Sequence, residues 1–222
     1  FWNFLIDHFN IPLVQKKSFK ILNQKSQFWK TMFFEKSFIN YYQLIFSNMS
    51  QDLAIHFVGE NNFEEKITYE NLNNRVNSLS NYFKSLKIKK GDVIAGYLPN
   101  IPDTIISFLA TAKIGAVWSS CSSDFGVKAV VDRFSQLNPK VLIVGDYYFY
   151  NGKKFDYSKN LSQLRKKLNN LRIIKTGYPS KNLKTQLTEI YSNKRYKVNS
   201  PPQQVEFNHP LYVLYSSGTT GL

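Results

Sequence analysis

The sequence predicts an α/β fold in which a mostly parallel sheet is flanked by helices. Short apolar runs, typical of buried strands, alternate with longer segments whose apolar residues recur every three or four positions. The connections between these segments are short, and such alternation is what parallel β-α-β units produce. In a chain of 222 residues we therefore expect one large α/β domain over residues 51–222, preceded by an arm over residues 1–50.

The arm is expected to be irregular and extended. Its Asn, Lys and Gln residues alternate with aromatic residues without the period of a helix or a strand. Because aromatic side chains bury large apolar areas, we expect them to insert into the body of the protein. These aromatic residues include Phe1, Trp2, Phe28, Trp29, Phe33, Phe34, Tyr41, Tyr42 and Phe46.

The elements of the domain can be assigned in chain order. The first long helix is expected to begin after an N-cap at Thr68, with Glu70 in its first turn, where the helix dipole favours a carboxylate. Its apolar residues are spaced at four, three, four and three: Leu72, Val76, Leu79, Phe83 and Leu86. Strands are expected at 53–57, 93–98, 116–119, 141–144, 172–175 and 211–215, and helices at 102–112, 127–137 and about 161–168. Residues 177–209 have mixed character, interrupted by Pro201-Pro202.

The net charge of +14 raises the question of a nucleic-acid partner. Lysine outnumbers arginine 24 to 5, and runs of consecutive lysines are no longer than pairs such as Lys89-Lys90. A DNA reader usually concentrates Arg and Lys on one face and carries a recognisable reading element, which this sequence lacks. We therefore interpret the lysines as solvated surface residues and expect no nucleic-acid partner.

Cysteine usage and apolar stretches indicate where the protein works. One cysteine, Cys121, excludes an intrachain disulfide framework and fits a reducing compartment, and we expect it to be a small core residue. No charged segment precedes an apolar one at the start, and the longest apolar stretch, 105–118, is interrupted by Lys113 and is too short to cross a bilayer. We expect a cytoplasmic protein with no membrane partner. The three histidines are scattered without metal-ligand spacing, so no metal site is expected.

The last residues form the most informative motif. A β-prone run over 211–215 leads into Ser216, Ser217, Gly218, Thr219, Thr220 and Gly221. Glycines let the backbone N–H groups turn inward and the hydroxyls add donors, a concave arrangement that suits an oligophosphate. The spacing differs from that of the common P-loop, Gly-x4-Gly-Lys-Ser/Thr.

This motif resembles the phosphate loop of adenylate-forming (AMP-binding) enzymes, whose pattern is Ser/Thr-Ser-Gly-Ser/Thr-Thr-Gly-x-Pro-Lys. The sequence stops at Leu222, before that Pro-Lys, so we expect it to be the front of an enzyme whose C-terminal part is missing. Further segments similar to this family occur in family order, at residues 67–72, 90–100, 112–117 and 209–221.

Within the family, three segments resemble the acetoacetate-CoA ligase branch. They are Ala116–Gly126, Val130–Phe134 and Pro139–Leu142, and acetyl-CoA synthetases carry His where Trp118 follows Gly-Ala-Val. Residues 34–41 and the turn at 150–153 also fit that branch.

The resemblance implies an ATP-dependent acid-CoA ligase, which converts acetoacetate, ATP and CoA to acetoacetyl-CoA, AMP and pyrophosphate through an acyl-adenylate. It implies Mg²⁺ with the ATP, and it implies that Ser216, Ser217, Gly218, Thr219, Thr220 and Gly221 bind the ATP phosphates. Lys153, at a turn that contacts the CoA nucleotide phosphate in acetyl-CoA synthetases, is implied as a CoA contact. The adenine and ribose sites and a catalytic lysine would lie beyond Leu222, so this stretch alone is not expected to catalyse the ligation.

Two other interpretations remain open at this point. In the first, the full-length protein is another short-chain acyl-CoA synthetase, acting on acetate or propionate. In the second, the chain is a non-catalytic remnant. For three smaller candidates we favour structural roles: Asp124 as the N-cap of the helix that begins at Val127, Arg133 as a helix-face residue, and Trp118 as a core residue.

Overall fold

The structure is a computed structural model that describes residues 1–25, 27–47, 50–168 and 171–215. Its α-helices are α1 (Trp2–His8), α2 (Tyr41–Ile45), α3 (Tyr69–Ser85), α4 (Pro102–Lys113), α5 (Val127–Phe134), α6 (Asn160–Lys167) and α7 (Gln186–Ser192). Its strands are β1 (Val14–Asn23), β2 (Met32–Ile39), β3 (Leu53–Val58), β4 (Glu64–Thr68), β5 (Val93–Tyr97), β6 (Val117–Cys121), β7 (Val141–Val144), β8 (Tyr147–Tyr150), β9 (Lys153–Asp156), β10 (Arg172–Lys175), β11 (Val205–Glu206) and β12 (Tyr212–Val213).

A five-stranded parallel sheet organises the domain. Its order is β10-β7-β5-β6-β12, and every neighbouring pair in it is parallel. The α/β fold with a parallel sheet flanked by helices, as predicted from the alternating pattern, is confirmed. Two antiparallel hairpins, β3-β4 and β8-β9, are separate from this sheet.

Two apolar clusters cover the two faces of the sheet. Successive residues of β5 and β7 contribute to opposite clusters, as Ile94 and Ala95 do, because side chains alternate along a strand. Residues of α3, α4 and α7 pack on one face, and residues of α5 and α6 pack on the other. The centre of the sheet is therefore buried on both sides, which explains why β5 and β7 are continuous apolar runs in the sequence.

The long helix α3 begins where its N-cap pattern predicts. Thr68 is extended, and its hydroxyl oxygen accepts a hydrogen bond of 3.2 Å from the backbone N–H of Asn71. The helix α7, within the mixed segment 177–209, has a capping box in which Thr188 takes the place usually held by Glu or Gln. This substitution explains why the capping pattern does not stand out in the sequence.

The N-terminal arm is more regular than expected, and the prediction of an irregular arm is corrected. It contains α1, α2 and the hairpin β1-β2, and β11 pairs with β2 from the far end of the chain. The sequence shows no clean strand period because Phe34 and Lys36 adopt positive φ angles of 50° and 64° and because the β1-β2 register shifts between Gln15 and Lys20. Both irregularities interrupt the alternation of inward and outward side chains.

Part of the arm is anchored in the domain core. Phe34, Tyr42 and Phe46 are buried, as expected for inserted aromatic residues. The expectation is wrong for four others, which are exposed: Phe1, Trp2, Phe28 and Trp29. The amide of Asn40 is also buried and donates to the carbonyls of Ala112, Lys113 and Gln203 at 2.9, 3.3 and 2.6 Å. Because one side chain joins the end of α4 to the arm and to the segment before β11, the arm is part of the folded unit.

Candidate functional site

The candidate site lies at the carboxyl edge of the parallel sheet. The carboxyl ends of β5, β6 and β12 meet there, since all three strands run in the same direction. The helices that follow β5 and β6, α4 and α5, pack on opposite faces of the sheet. In open α/β sheets, such a divergence opens the crevice in which ligands bind.

The strand β12 leads the chain into this crevice. Its first residue is in register with Trp118, whose backbone N–H donates to the carbonyl of Leu211 at 3.1 Å. The hydroxyl of Ser119 donates to the carbonyl of Val213 at 3.0 Å and adds a side-chain bond to the short strand pairing. The chain therefore reaches the carboxyl edge of the sheet at the end of β12, and the Ser/Thr/Gly segment follows in the sequence.

The residues predicted to bind the ATP phosphates lie outside the described residues. They are Ser216, Ser217, Gly218, Thr219, Thr220 and Gly221. Their role stays a prediction, and what the structure describes is the framework that leads to them.

Tyr215, the last described residue before that segment, contacts α5. Its hydroxyl donates to the carbonyl of Arg133 at 2.6 Å, and the Arg133 guanidinium lies 5.6 Å from the centre of its ring. The same guanidinium lies 4.7 Å from the ring centre of Phe125, in the loop after β6. Burial raises the pKa of the Tyr215 phenol, so it remains a protonated donor at neutral pH. Arg133 is therefore a residue on the face of α5, as predicted, and it also contacts the ring of Tyr215.

Tyr97, at the end of β5, forms a hydrogen bond with the loop after β6. The Tyr97 hydroxyl donates to the carbonyl of Phe125 at 2.5 Å and accepts from the amide of Asn160 at 3.1 Å. Burial is the main cause that raises the pKa of this phenol. A buried phenol with a donor and an acceptor on its oxygen fixes the loop against two other elements.

Lys153, the predicted CoA contact, lies at the start of β9 in the β8-β9 hairpin. The turn has Asn151 and Gly152 at φ angles of 50° and 72°, as the Asn-Gly pair predicts. The Lys153 side chain is exposed and forms no ion pair within the described ranges, whereas the next ammonium, that of Lys154, lies 3.7 Å from the ring centre of Tyr147. No contact described here brings Lys153 together with the sheet edge, and its role stays a prediction.

Two residues near the edge occupy the core, as predicted. Cys121, at the end of β6, is 3% exposed, and burial raises the pKa of its thiol to about 11, so it is a poor nucleophile. Trp118 is also buried, and its ring lies over Gly96, where a Cβ atom would come within 2.7 Å of the indole carbons. Gly96 therefore provides the space that the large side chain needs.

The prediction that Asp124 caps α5 is wrong. The N-cap is Gly126, which is extended at φ −67° and ψ 156° and receives no side-chain capping bond. Asp124 lies two residues before the N-cap, too early for its carboxylate to occupy the capping position itself.

A cavity of about 1120 Å³ lies away from β12, between α3, α7 and residues 179–183. Asp103, at the start of α4, lines it, and its carboxylate accepts hydrogen bonds from the hydroxyls of Thr176 and Tyr191, the latter at 2.9 Å. Burial raises the pKa of Asp103. Because these polar groups satisfy one another, we assign them a structural role.

The described residues carry neither a candidate metal-binding cluster nor a candidate membrane-spanning helix. They contain no group of three or more His, Cys, Asp and Glu side chains placed to hold a metal ion. Within the same ranges, no helix has the length and apolar character that a bilayer crossing requires.

Comparisons with known proteins agree with the architecture. A family model described as AMP-binding enzyme matches residues 47–222. The acetoacetyl-CoA synthetase of Macaca fascicularis is 35% identical over 202 residues, covering 85% of this chain and 30% of that protein. The acetoacetyl-coenzyme A synthetase of Rhizobium meliloti (strain 1021) is 32% identical over 233 residues, covering 100% of this chain and 35% of that protein.

A solved structure extends the comparison to the fold. Acetoacetyl-CoA synthetase from Streptomyces lividans matches with a TM-score of 0.86 at 31% identity, covering 100% of this chain and 35% of that chain. The chain thus spans about a third of the length of the relatives it matches. Because the family model covers most of the sequence, the chain belongs to the AMP-binding enzyme family.

Proposed function

We propose that this chain is part of an ATP-dependent acid-CoA ligase that converts acetoacetate, ATP and CoA to acetoacetyl-CoA, AMP and pyrophosphate. The observation that carries the proposal is the match of the whole chain, in sequence and fold, to proteins named acetoacetyl-CoA synthetase. The Trp118 segment supports the acetoacetate branch over the acetate branch.

The reaction has two steps. An oxygen of the acetoacetate carboxylate forms a bond to the α-phosphorus of ATP while the bond to the β-phosphate oxygen breaks, giving acetoacetyl-adenylate and pyrophosphate. The CoA sulfur then bonds to the acyl carbon, AMP leaves, and the thiol proton is released. The first step brings two anions together, so its barrier is largely electrostatic.

The Ser/Thr/Gly segment is the part of this chain that we assign to the first step. Its backbone N–H groups and the hydroxyls of Ser216, Ser217, Thr219 and Thr220 would hold the β- and γ-phosphates and stabilise the charge on departing pyrophosphate. Mg²⁺, when bound with ATP, would neutralise part of the same phosphate charge. The position of β12 at the carboxyl edge of the sheet supports this assignment.

The full-length protein should show acetoacetate-dependent exchange of labelled pyrophosphate into ATP. Exchange that is faster with acetate or propionate at equal concentration would contradict the acetoacetate assignment and favour another short-chain acyl-CoA synthetase. Absence of exchange with all three acids would favour a non-catalytic remnant.

Substitutions in the loop separate its role from a general structural one. Thr219→Ala or Thr220→Val removes a hydrogen bond to a charged group, which costs about 1.5–3 kcal/mol, or roughly 10- to 150-fold in adenylation rate. Thioester formation from preformed acyl-adenylate involves no pyrophosphate and should change far less. Ser162→Ala, on the exposed surface of α6, is the matched control. Unchanged adenylation in both loop variants would reduce the segment to an ordinary turn.

The remaining parts of the proposal concern organisation and location. We propose an arm over residues 1–50 and an AMP-binding domain from residue 51, supported by the family match that begins at residue 47. We propose that Lys153 contacts CoA and that the enzyme is cytoplasmic, the latter supported by the single buried cysteine. Duplex DNA should bind weakly, without sequence preference, and dissociate at moderate salt.

A further inference from the structure

Tyr215 joins the end of β12 to a helix distant in sequence. Its hydroxyl donates to the backbone carbonyl of Arg133 at 2.6 Å, across 82 positions of sequence. Arg133 lies in the last turn of α5, where carbonyls have no partner within the helix. This carbonyl accepts one further hydrogen bond, from the N–H of Gln136 at 3.2 Å, so the phenol satisfies remaining acceptor capacity.

The ring of Tyr215 is held as well as its hydroxyl. The guanidinium of Arg133 is fixed by a hydrogen bond of 3.1 Å to the carbonyl of Ala129, one turn earlier in α5. From that position it contacts the rings of both Phe125 and Tyr215. Three elements, the loop after β6, α5 and the end of β12, therefore meet around one side chain.

A second side chain fixes the same strand. Ser119 is fully buried, and its hydroxyl donates to the carbonyl of Val213. Leu214, between the two anchored residues, is 71% exposed, so after the short backbone pairing with β6 the chain is held by the hydrogen bonds of Ser119 and Tyr215.

We infer that Tyr215 is a positioning residue for the phosphate loop. It fixes the point at which the Ser/Thr/Gly segment leaves the sheet, and Ser119 assists through Val213. An anchored residue restricts the conformations open to the backbone that follows it, so ligand binding by that backbone costs less conformational entropy. The inference rests on the proposed function in one respect: it takes the segment to bind the ATP phosphates.

The test uses Tyr215→Phe in the full-length protein. This change removes the hydroxyl and keeps the ring against the guanidinium. Loss of one neutral hydrogen bond predicts a roughly 2- to 13-fold lower kcat/KM for ATP in acetoacetate-dependent pyrophosphate exchange. The KM for CoA and the rate of thioester formation from preformed acetoacetyl-adenylate should remain as in the wild type.

Two further variants complete the design. Tyr212→Phe is the matched control, because Tyr212 lies on the same strand, is half exposed, and makes no side-chain hydrogen bond to any described residue. Ser119→Ala should lower the same kcat/KM as Tyr215→Phe does, and it provides the test if the tyrosine variant fails to fold.

The outcomes separate this inference from the proposed function. If the wild type exchanges pyrophosphate only with a different acid, or shows no exchange, the proposed function is contradicted. The dissociation constants of ATP for Tyr215→Phe and for the wild type, measured by equilibrium titration, then test the inference separately. An unchanged dissociation constant together with unchanged kcat/KM would overturn the inference. Equal losses in both half-reactions, with unaltered circular dichroism, would show that Tyr215 supports the fold generally and would also overturn it.

Discussion

Replacing Lys113 by Met should make the protein more stable at neutral pH. Lys113, at the end of α4, is fully buried, so the interpretation of the lysines as solvated surface residues is wrong for this one. Its ammonium donates to the side-chain oxygen of Asn77 and lies 4.4 Å from the ring centre of Tyr42. It has no ion-pair partner among the described residues. Burial, assisted by the charge of Lys84, lowers its pKa from 10.5 to about 8.

The magnitude follows from that difference in pKa. The charged amine costs the folded state about 3 kcal/mol relative to the neutral one, since each pKa unit corresponds to about 1.4 kcal/mol. Methionine has a similar length and avoids this cost, but it loses a hydrogen bond to Asn77 worth about 1 kcal/mol. Lys113→Met should therefore raise the free energy of unfolding by about 2 kcal/mol at pH 7.

The sign of the pH dependence provides the sharper test. Between about pH 8 and 10.5 the unfolded chain binds the lysine proton and the folded chain does not, so wild-type stability rises with pH across this window. The variant lacks this gain, and its advantage should shrink by about 3 kcal/mol by the upper end of the window. Urea unfolding at pH 7 and 10.5 measures the effect, with Lys128→Met, on the exposed face of α5, as the control. Parallel stability profiles for Lys113→Met and the wild type would refute the reasoning.

Three further substitutions or reactions test the core. Gly96→Ala places a Cβ atom 2.7 Å from the Trp118 indole and should destabilise the protein by about 1–3 kcal/mol in urea unfolding; an unchanged midpoint would mean that the indole moves aside freely. Cys121, whose pKa is raised from 9.0 to about 11, should react with iodoacetamide at pH 8 about 100-fold more slowly than in the denatured chain, as followed by mass spectrometry; equal rates would place the thiol at the surface. Asn40→Ala removes the amide that donates to the end of α4 and accepts from the backbone N–H of Tyr42 at the start of α2, and should cost about 1–3 kcal/mol or more; a smaller loss in urea unfolding would mean that water replaces the amide.

The parallel sheet could be predicted because its information is local. The strand β7 consists of four consecutive buried apolar residues, and β5 is nearly as uniform, which is typical of strands covered on both faces. Thr68 caps α3 through a residue three positions away, so a short window of sequence contains the whole signal. Irregular local backbone, as at Phe34 and Lys36 in β2, removes that signal even where a strand exists.

The framework of the candidate site could be predicted only in part. The motif itself is visible in sequence, but the bond between Tyr215 and Arg133 depends on β12 lying beside β6, and nothing local to either residue encodes that neighbourhood. In the sequence, Tyr215 is the last residue of a β-prone run before the Ser/Thr/Gly motif, and no local pattern distinguishes it from the other apolar residues of that run. The erroneous Asp124 cap has the opposite origin: the residue type was suitable, but the backbone enters α5 two residues later.

Because β12 lies far along the sequence from β6, its pairing partner, it affects how the chain folds during synthesis. During synthesis, β5, β6 and β7 are complete once Val144 has left the ribosome, but the outer side of β6 receives its partner only when Leu211 to Val213 emerge. Until then the N–H of Trp118 and its neighbours form an open strand edge, which can pair with another chain. Nascent chains that are close together on one messenger can therefore pair through this edge in that interval, and the pairing of β12 closes it.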